Sequence, residues 1–442
     1  MSGGRTLGLG MATALVVGNI IGMGIFLMPA SLAPYGLNAL TGWAVTVVGC
    51  LCVALVYATL ARRFPADDGP YDYTLRAFGP ATAFIAMWCY WVSVWVANAA
   101  IALGVVGYLM YFVPQLQSTP FLAPVSALAL VWLFVLVNLR GARTAGWVQV
   151  LTTVLKVLPQ VAVILLGLWI LVRAPHRYAE HVPATPASLR AVAAVSTLTL
   201  FAMLGIECAA IPAARVRDPQ RNIPRATLIG TLVAAFLYIG ISVVPLFLIP
   251  QQALAQSTAP FADLFERVLA GQWGGVFAVF VVISGVGALN GWTLVVGEVT
   301  GTLARHGTFP QWLSRENSHG APARAFVLSG VVSSLILLVS YAGSVAQLFE
   351  TLTTVAVYLT IPVYITSAVA VARLKRLDGH APTVAIAAAA LLAVLYCLWL
   401  LYGVRPLEMV LGVALTLAGI PVYVACTRAA RRRGALQAQP GT

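Results

Sequence analysis

Three ionisable residues, Lys156, Glu207 and Glu298, each interrupt a long apolar run. Such a group is costly in hydrocarbon unless it faces the inside of a helix bundle and has a partner, so it marks a route for ions, protons or polar solutes. Lys156 and Glu298 can form a fixed pair joining two helices, or act separately. Lys156 and Glu207 are read as groups that gain and lose a proton. Glu207 follows Gly205-Ile206, and an earlier run carries Gly18-Asn19-Ile20-Ile21-Gly22-Met23-Gly24. Glycine costs about 1 kcal/mol in a helix interior, so clusters inside apolar runs mark either close packing or an unwound stretch. In an unwound stretch, freed N–H groups at a half-helix start hold a carboxylate and freed carbonyls hold an ammonium. Those are the two invariant ends of an amino acid. Trp292, beside Asn290-Gly291, and Phe201 add an aromatic box that can hold a cation by its ring faces at about 0.5–2 kcal/mol each. Trp88, Trp91, Trp95 and Asn98 recur at helical spacing; only Asn98 is polar, and the tryptophans read as packing or lipid-facing.

These residues need a membrane-spanning scaffold. The 442 residues are 60% hydrophobic and 9% charged, with mean hydropathy +0.92, which excludes an ordinary soluble domain. A span needs roughly 20 apolar residues. The pattern predicts twelve spans, at about 9–33, 37–61, 80–112, 121–139, 145–172, 190–213, 226–249, 274–304, 325–343, 346–372, 384–402 and 405–427. The fold class is all-α integral membrane. Two glycine-broken spans five apart, the first and the sixth, suggest an inverted five-plus-five repeat with the site at the midplane. We expect one domain over residues 1–433, with repeats at about 9–172 and 190–372, peripheral helices at about 384–427 and a disordered cytoplasmic tail at 434–442. Short amphipathic helices are expected at the interface around Phe261, Leu264 and Phe265, and around Phe309, Trp312 and Leu313.

The net charge of +13 is topological: most Lys and Arg fall in alternate loops, which puts both termini in the cytoplasm and removes nucleic acid as a partner. The six cysteines lie in or beside spans without a C-x-x-C spacing, so neither a disulfide framework nor a zinc site is expected. The five histidines read as solvated loop residues, and Glu350 as interfacial. Asp67-Asp68-Gly69-Pro70-Tyr71-Asp72 raises a different class, since paired aspartates near a membrane can hold Mg²⁺ on a diphosphate in an intramembrane transferase. No second aspartate cluster completes such a site, and the stretch reads better as a turn with gating contacts.

Four strings then become informative together: GNIIGMGIFLMPA (Gly18 to Ala30), DPQRNIPRATLIGT (Asp218 to Thr231), STAPFADLF (Ser257 to Phe265) and GALNGWTLVVGE (Gly287 to Glu298). From Leu9 to Tyr423 the chain resembles the amino acid–polyamine–organocation superfamily, nearest its basic amino acid/polyamine antiporters. The resemblance implies ten core helices in two inverted halves plus two peripheral ones, alternating access, and often a homodimer. It implies that Asn19, Ile20, Gly22 and Gly24 contact the substrate's amino and carboxylate groups, with Asn98 beside them. Glu207 matches an acid that handles substrate or protons, Trp292 a tryptophan on the substrate side chain, and Tyr90 a gating aromatic. Met23 stands where the arginine/agmatine branch has a serine. Phe201 stands where it has a tryptophan. Lys156 is absent from that branch, but proton-coupled and broad-range relatives carry a lysine there beside the first-helix break, in a role similar to that of a sodium ion.

The expected function is therefore secondary transport of a cationic amino acid or its amine across a bacterial inner membrane, without covalent chemistry, cofactor or metal. Substrate residues are Asn19, Ile20, Gly22, Met23, Gly24, Asn98, Phe201, Ile206 and Trp292. Glu207, Lys156 and Glu298 are the coupling candidates, and Tyr90 is a gate. Partners are the small amine or amino acid, protons, lipid and a second copy of the chain. The competing reading, favoured by Met23 and Lys156, is proton-coupled or exchange transport of neutral amino acids. An amino acid-sensing receptor without transport has no feature in its favour beyond the shared fold.

Overall fold

The computed structural model describes residues 8–64, 69–119, 121–140, 142–183, 185–207, 217–269, 273–313, 315–319, 321–339, 345–373 and 378–437. Among them there are helices and no strands, as the hydrocarbon requires when every backbone polar group must be satisfied within its own segment. The first span is two helices, α1 (Leu9–Ile20) and α2 (Gly24–Leu32), followed by α3 (Asn38–Arg63), α4 (Pro70–Phe78), α5 (Pro80–Leu109), α6 (Gln115–Ser118), α7 (Leu122–Leu139), α8 (Ala142–Arg173) and α9 (Arg177–Glu180). The second half runs α10 (Leu189–Met203), α11 (Pro219–Leu248), α12 (Gln251–Gln256), α13 (Pro260–Val268), α14 (Trp273–Arg305), α15 (Ala323–Val339) and α16 (Val345–Ala372). The chain closes with α17 (Val384–Gly403), α18 (Pro406–Leu417) and α19 (Gly419–Gln437).

Nine helices among the described residues are long and apolar enough to cross a membrane. Three shorter apolar helices, Gly24–Tyr35, Leu189–Met203 and Ala323–Leu338, supply the remaining spans. Two of these adjoin the expected glycine breaks, so interruption, not a lack of apolar sequence, makes them short. The most apolar stretch of α5 is 94% buried, against 11% for the stretch that begins at Pro406. The third span is thus the central post of the bundle, whereas the last faces outward along Leu407, Val410 and Leu417.

Several expectations change. α13 does not lie on the interface: Phe261, Leu264 and Phe265 are buried in protein, with Phe261 edge-on to Phe26 and Phe265 stacked on Phe277. An amphipathic helix needs an apolar surface to cover, and here protein supplies it before lipid does. Phe309 is likewise buried against Phe84, Trp88 and Trp91, while Trp312 remains exposed. The three α5 tryptophans are packing and not lipid-facing, since all are at most 8% exposed. His306 is not freely solvated: its ring lies 4.3 Å from that of Tyr71, and its Nε2 is 3.2 Å from Asp72 Oδ1. The last helix continues to Gln437, so residues 434–437 are helical and not tail; Ala, Leu and Gln there favour helix. Asp67 and Asp68 lie outside the described residues, and no group of three metal-ligating side chains occurs among those described.

Candidate functional site

Both glycine-rich segments are broken. α1 ends at Ile20, Ile21 is extended (φ −70°, ψ 99°), and α2 starts at Gly24. α10 ends at Met203, Leu204 is extended, and Gly205 has φ +110°, a conformation that residues with a Cβ adopt only under strain. The two breaks meet. A narrow cavity is lined by Ile20, Gly22, Met23 and Gly24 from the first, by Phe201, Ala202 and Leu204 from the second, and by Ala97, Ile101 and Trp292. Six of the nine expected substrate residues are therefore gathered at one point. Asn98 and Ile206 are buried but are not among the described residues that line the cavity. The side chains of Asn19 and Glu298 lie outside what is described.

The cavity offers about 10 Å³ to the centre of a water-sized body, room for roughly one water and too little for an amino acid. Binding must therefore part the lining side chains. Steric detail shows which contacts hold them together. A Cβ on Gly24 would meet the Phe201 ring at 2.9 Å and the Ala202 backbone at 3.3 Å, whereas one on Gly22 would make ordinary contact with Ala288 at 3.5 Å. Gly24→Ala should therefore slow solute transport by about tenfold, the overpacking cost being about 1–3 kcal/mol, while Gly22→Ala stays within about twofold. Initial counterflow rates at matched protein content check the pair.

Met23 is fully buried, and its side chain is seated where Cβ atoms on Gly104 and Gly285 would lie 2.6 Å from Met23 Cγ and 2.8 Å from Met23 Sδ. The thioether lies in a slot made by glycines on α5 and α14.

The helix ends left open by the first break find donors. Lys156 Nζ, on α8, donates to the Gly18 carbonyl at 3.0 Å, and Tyr238 Oη, on α11, donates to the Ile20 carbonyl at 2.8 Å. These are among the last carbonyls of α1, which a continuing helix would have satisfied. Tyr108 Oη donates to the Phe26 carbonyl in α2 at 2.9 Å.

Glu207, 1% exposed, accepts three hydrogen bonds: from Tyr90 Oη on Oε1 at 2.8 Å, from Tyr364 Oη on Oε2 at 2.6 Å and from the Gly205 N–H on Oε2 at 3.3 Å. The carboxylate thus ties the second break to α5 and α16. Tyr90 lies seven residues before Ala97 on α5, about 10 Å along the helix, so this network lies on the side of the cavity toward Arg63 and His306. On the other side Phe201 meets Phe349 edge-on, with ring centroids 5.9 Å apart. Asn98 Oδ1 is buried with no hydrogen-bond partner among the described residues.

The sequence reading missed Tyr364, Tyr238, Ala97, Ile101, Ala202 and Leu204. The two tyrosines carried a weak signal, since a phenol in an apolar span needs a partner for its hydroxyl. The small apolar residues carried none.

The amino acid permease family model matches residues 7–425. The chain is 33% identical over 384 residues to the cadaverine/lysine antiporter of Escherichia coli (strain K12), covering 85% of each. It is 30% identical over 425 residues to the putrescine transporter PotE of the same organism, covering 94% of this chain and 95% of that one. To the arginine/ornithine antiporter of Pseudomonas aeruginosa it is 33% identical over 348 residues, 77% of this chain and 72% of the relative.

Proposed function

The chain belongs to the amino acid permease family of membrane transporters, and from that premise we propose that it is an antiporter exchanging a cationic amino acid for its amine or for another cationic amino acid. The observation that carries the reading is the meeting of two broken helices at a cavity walled by Phe201 and Trp292. A half-helix start at Gly24 suits a carboxylate, and ring faces suit an ammonium or guanidinium. No basic side chain is among the described residues that line the cavity. The cadaverine/lysine, putrescine and arginine/ornithine specificities of its relatives point the same way. Alternating access follows if the Phe201–Phe349 contact and the Glu207 network open in turn. Protonation of Glu207 would give it an O–H and force one tyrosine from donor to acceptor, a local route for coupling a proton to the second gate. We place the protein in a bacterial inner membrane with both termini cytoplasmic, as inverted repeats plus two peripheral helices and as a homodimer.

One observation favours the second reading, proton-coupled or exchange transport of neutral amino acids: Lys156 Nζ sits on the Gly18 carbonyl at the break itself. Counterflow in proteoliposomes separates the two. Radiolabelled arginine is competed by unlabelled arginine, lysine, ornithine, agmatine, cadaverine and putrescine, or by neutral amino acids, at about pH 5 and about pH 7.5. Competition by the cationic set supports the antiporter; competition by neutral amino acids alone replaces it with the second reading.

A further inference from the structure

A second opening lies beyond the Phe201–Phe349 contact. It is a cleft of about 600 Å³ bounded by the end of α2 (Ala30, Ser31), the loop helices α6 and α12, and the start of α16. Unlike the much smaller central cavity, it is within the volume range of small-ligand sites. Successive residues of α16 serve the two spaces: the Phe349 ring touches Phe201, which lines the central cavity, and Glu350 lines the cleft. Glu350 is the single charged side chain among the described lining residues, and Gln117, Gln256 and Gln347 stand around it.

The charge at Glu350 is only partly compensated. Arg405 Nη1 lies 3.5 Å from Glu350 Oε1, while the same guanidinium also pairs with Glu408. Two carboxylates share one cation, and the second oxygen of Glu408 is buried with no hydrogen-bond partner among the described residues. Arg405 is half exposed whereas Glu350 is largely shielded, with side-chain exposures of 50% and 22%. The cleft therefore presents an excess of negative charge behind low-dielectric walls, an arrangement that concentrates cations.

We infer that this cleft is an outer recruitment site for the ammonium or guanidinium end of the cargo, with Glu350 as the recognition residue and Arg405 as the group that limits its strength. The inference rests on the reading that the cargo is cationic. It gives α16 two roles: the carboxylate collects the cation one residue from the ring that must move for it to pass inward. A plain structural pairing of Glu350 with Arg405 predicts no dependence of solute binding on either residue.

The test uses Ala346→Cys, a cleft-lining position, in the full chain reconstituted in nanodiscs, with labelling of the unsubstituted chain subtracted. The reagents are a trimethylammonium methanethiosulfonate and its sulfonate counterpart. The cationic reagent should react faster by about tenfold or more; adding Glu350→Gln should bring the ratio toward one, and adding Arg405→Gln should raise it. Millimolar lysine or 1,5-diaminopentane should slow labelling by a neutral thiosulfonate, and Glu350→Gln should remove that protection. A ratio unchanged by Glu350→Gln, or no protection by either solute, overturns the inference. Because labelling needs no turnover, the two readings fail separately. Cation-selective labelling without arginine exchange defeats the antiporter reading and leaves the cleft, whereas arginine exchange with equal labelling rates defeats the cleft and leaves the antiporter.

Discussion

Glu207→Ala is expected to lower the initial exchange rate by about 100-fold or more while the chain remains folded in detergent. One buried carboxylate accepts from Tyr90, Tyr364 and the Gly205 N–H, and its removal strands the Tyr364 hydroxyl and a backbone donor and takes one partner from Tyr90. Each stranded group costs about 1–3 kcal/mol, and hydrogen bonds to a charged acceptor lie at the upper end. Every 1.4 kcal/mol that falls on one conformation of the cycle and not the other is a factor of about ten in rate. The three donors come from α5, α16 and the break after α10, elements that would have to separate for this side to open. Much of the cost should therefore appear in exchange and not in global stability. Glu207→Gln retains one carbonyl oxygen and turns the other acceptor into a donor, so it should fall between the alanine variant and the parent. Tyr364→Phe, which removes the 2.6 Å contact alone, should cost about tenfold. Counterflow at matched incorporation, paired with thermal melts, reads both quantities. Exchange within about threefold of the parent in Glu207→Ala, with a lowered melting temperature, would make the network packing and not a gate.

The sequence showed where the backbone had to break, because glycine in an apolar run carries a cost that hydrocarbon does not relieve. Gly18, Gly22, Gly24 and Gly205 located both interruptions, and six residues assigned to the substrate do line one cavity. What it could not show are partnerships across long separations. Tyr364 and Glu207 are 157 positions apart, and Tyr238 and Ile20 are 218 apart; a tyrosine in an apolar span looks like any other aromatic until its hydroxyl is placed. Met23 was readable as a departure from a serine, but not as a thioether received by Gly104 and Gly285, since those glycines look like ordinary helix-packing positions. Phe261 and Phe265 misled in the opposite direction: an amphipathic pattern states that one face is apolar, not whether protein or lipid covers it.

Lys156 carries the second large effect, and the structure sharpens what its removal should do. The ammonium group lies on the Gly18 carbonyl, two residues before the carbonyl that Tyr238 holds. α1 stops at Ile20, so these carbonyls face the gap where a further turn would have been. Lys156→Ala leaves the Gly18 carbonyl without that donor and empties the volume of a side chain that is 1% exposed. The unsatisfied carbonyl alone costs about 1–3 kcal/mol, so exchange should fall about 10- to 100-fold. Lys156→Met fills most of the volume without a donor and should remain comparably slow if the hydrogen bond, and not the packing, is what matters. Tyr238→Phe removes a donor from the same helix end without touching a titratable amine on α8, and serves as the control. If Lys156 changes its protonation during the cycle, Lys156→Met should flatten the rate between about pH 5 and about pH 7.5, while Tyr238→Phe lowers the whole profile and keeps its shape. Equal slopes in the parent, Lys156→Met and Tyr238→Phe would assign the lysine to holding the break open and leave Glu207 as the group through which a proton is coupled. The distinction is physical: a donor that only caps a helix end contributes the same at every pH where it stays charged, whereas a donor that must let go of Gly18 for α1 to move ties that motion to the proton it carries.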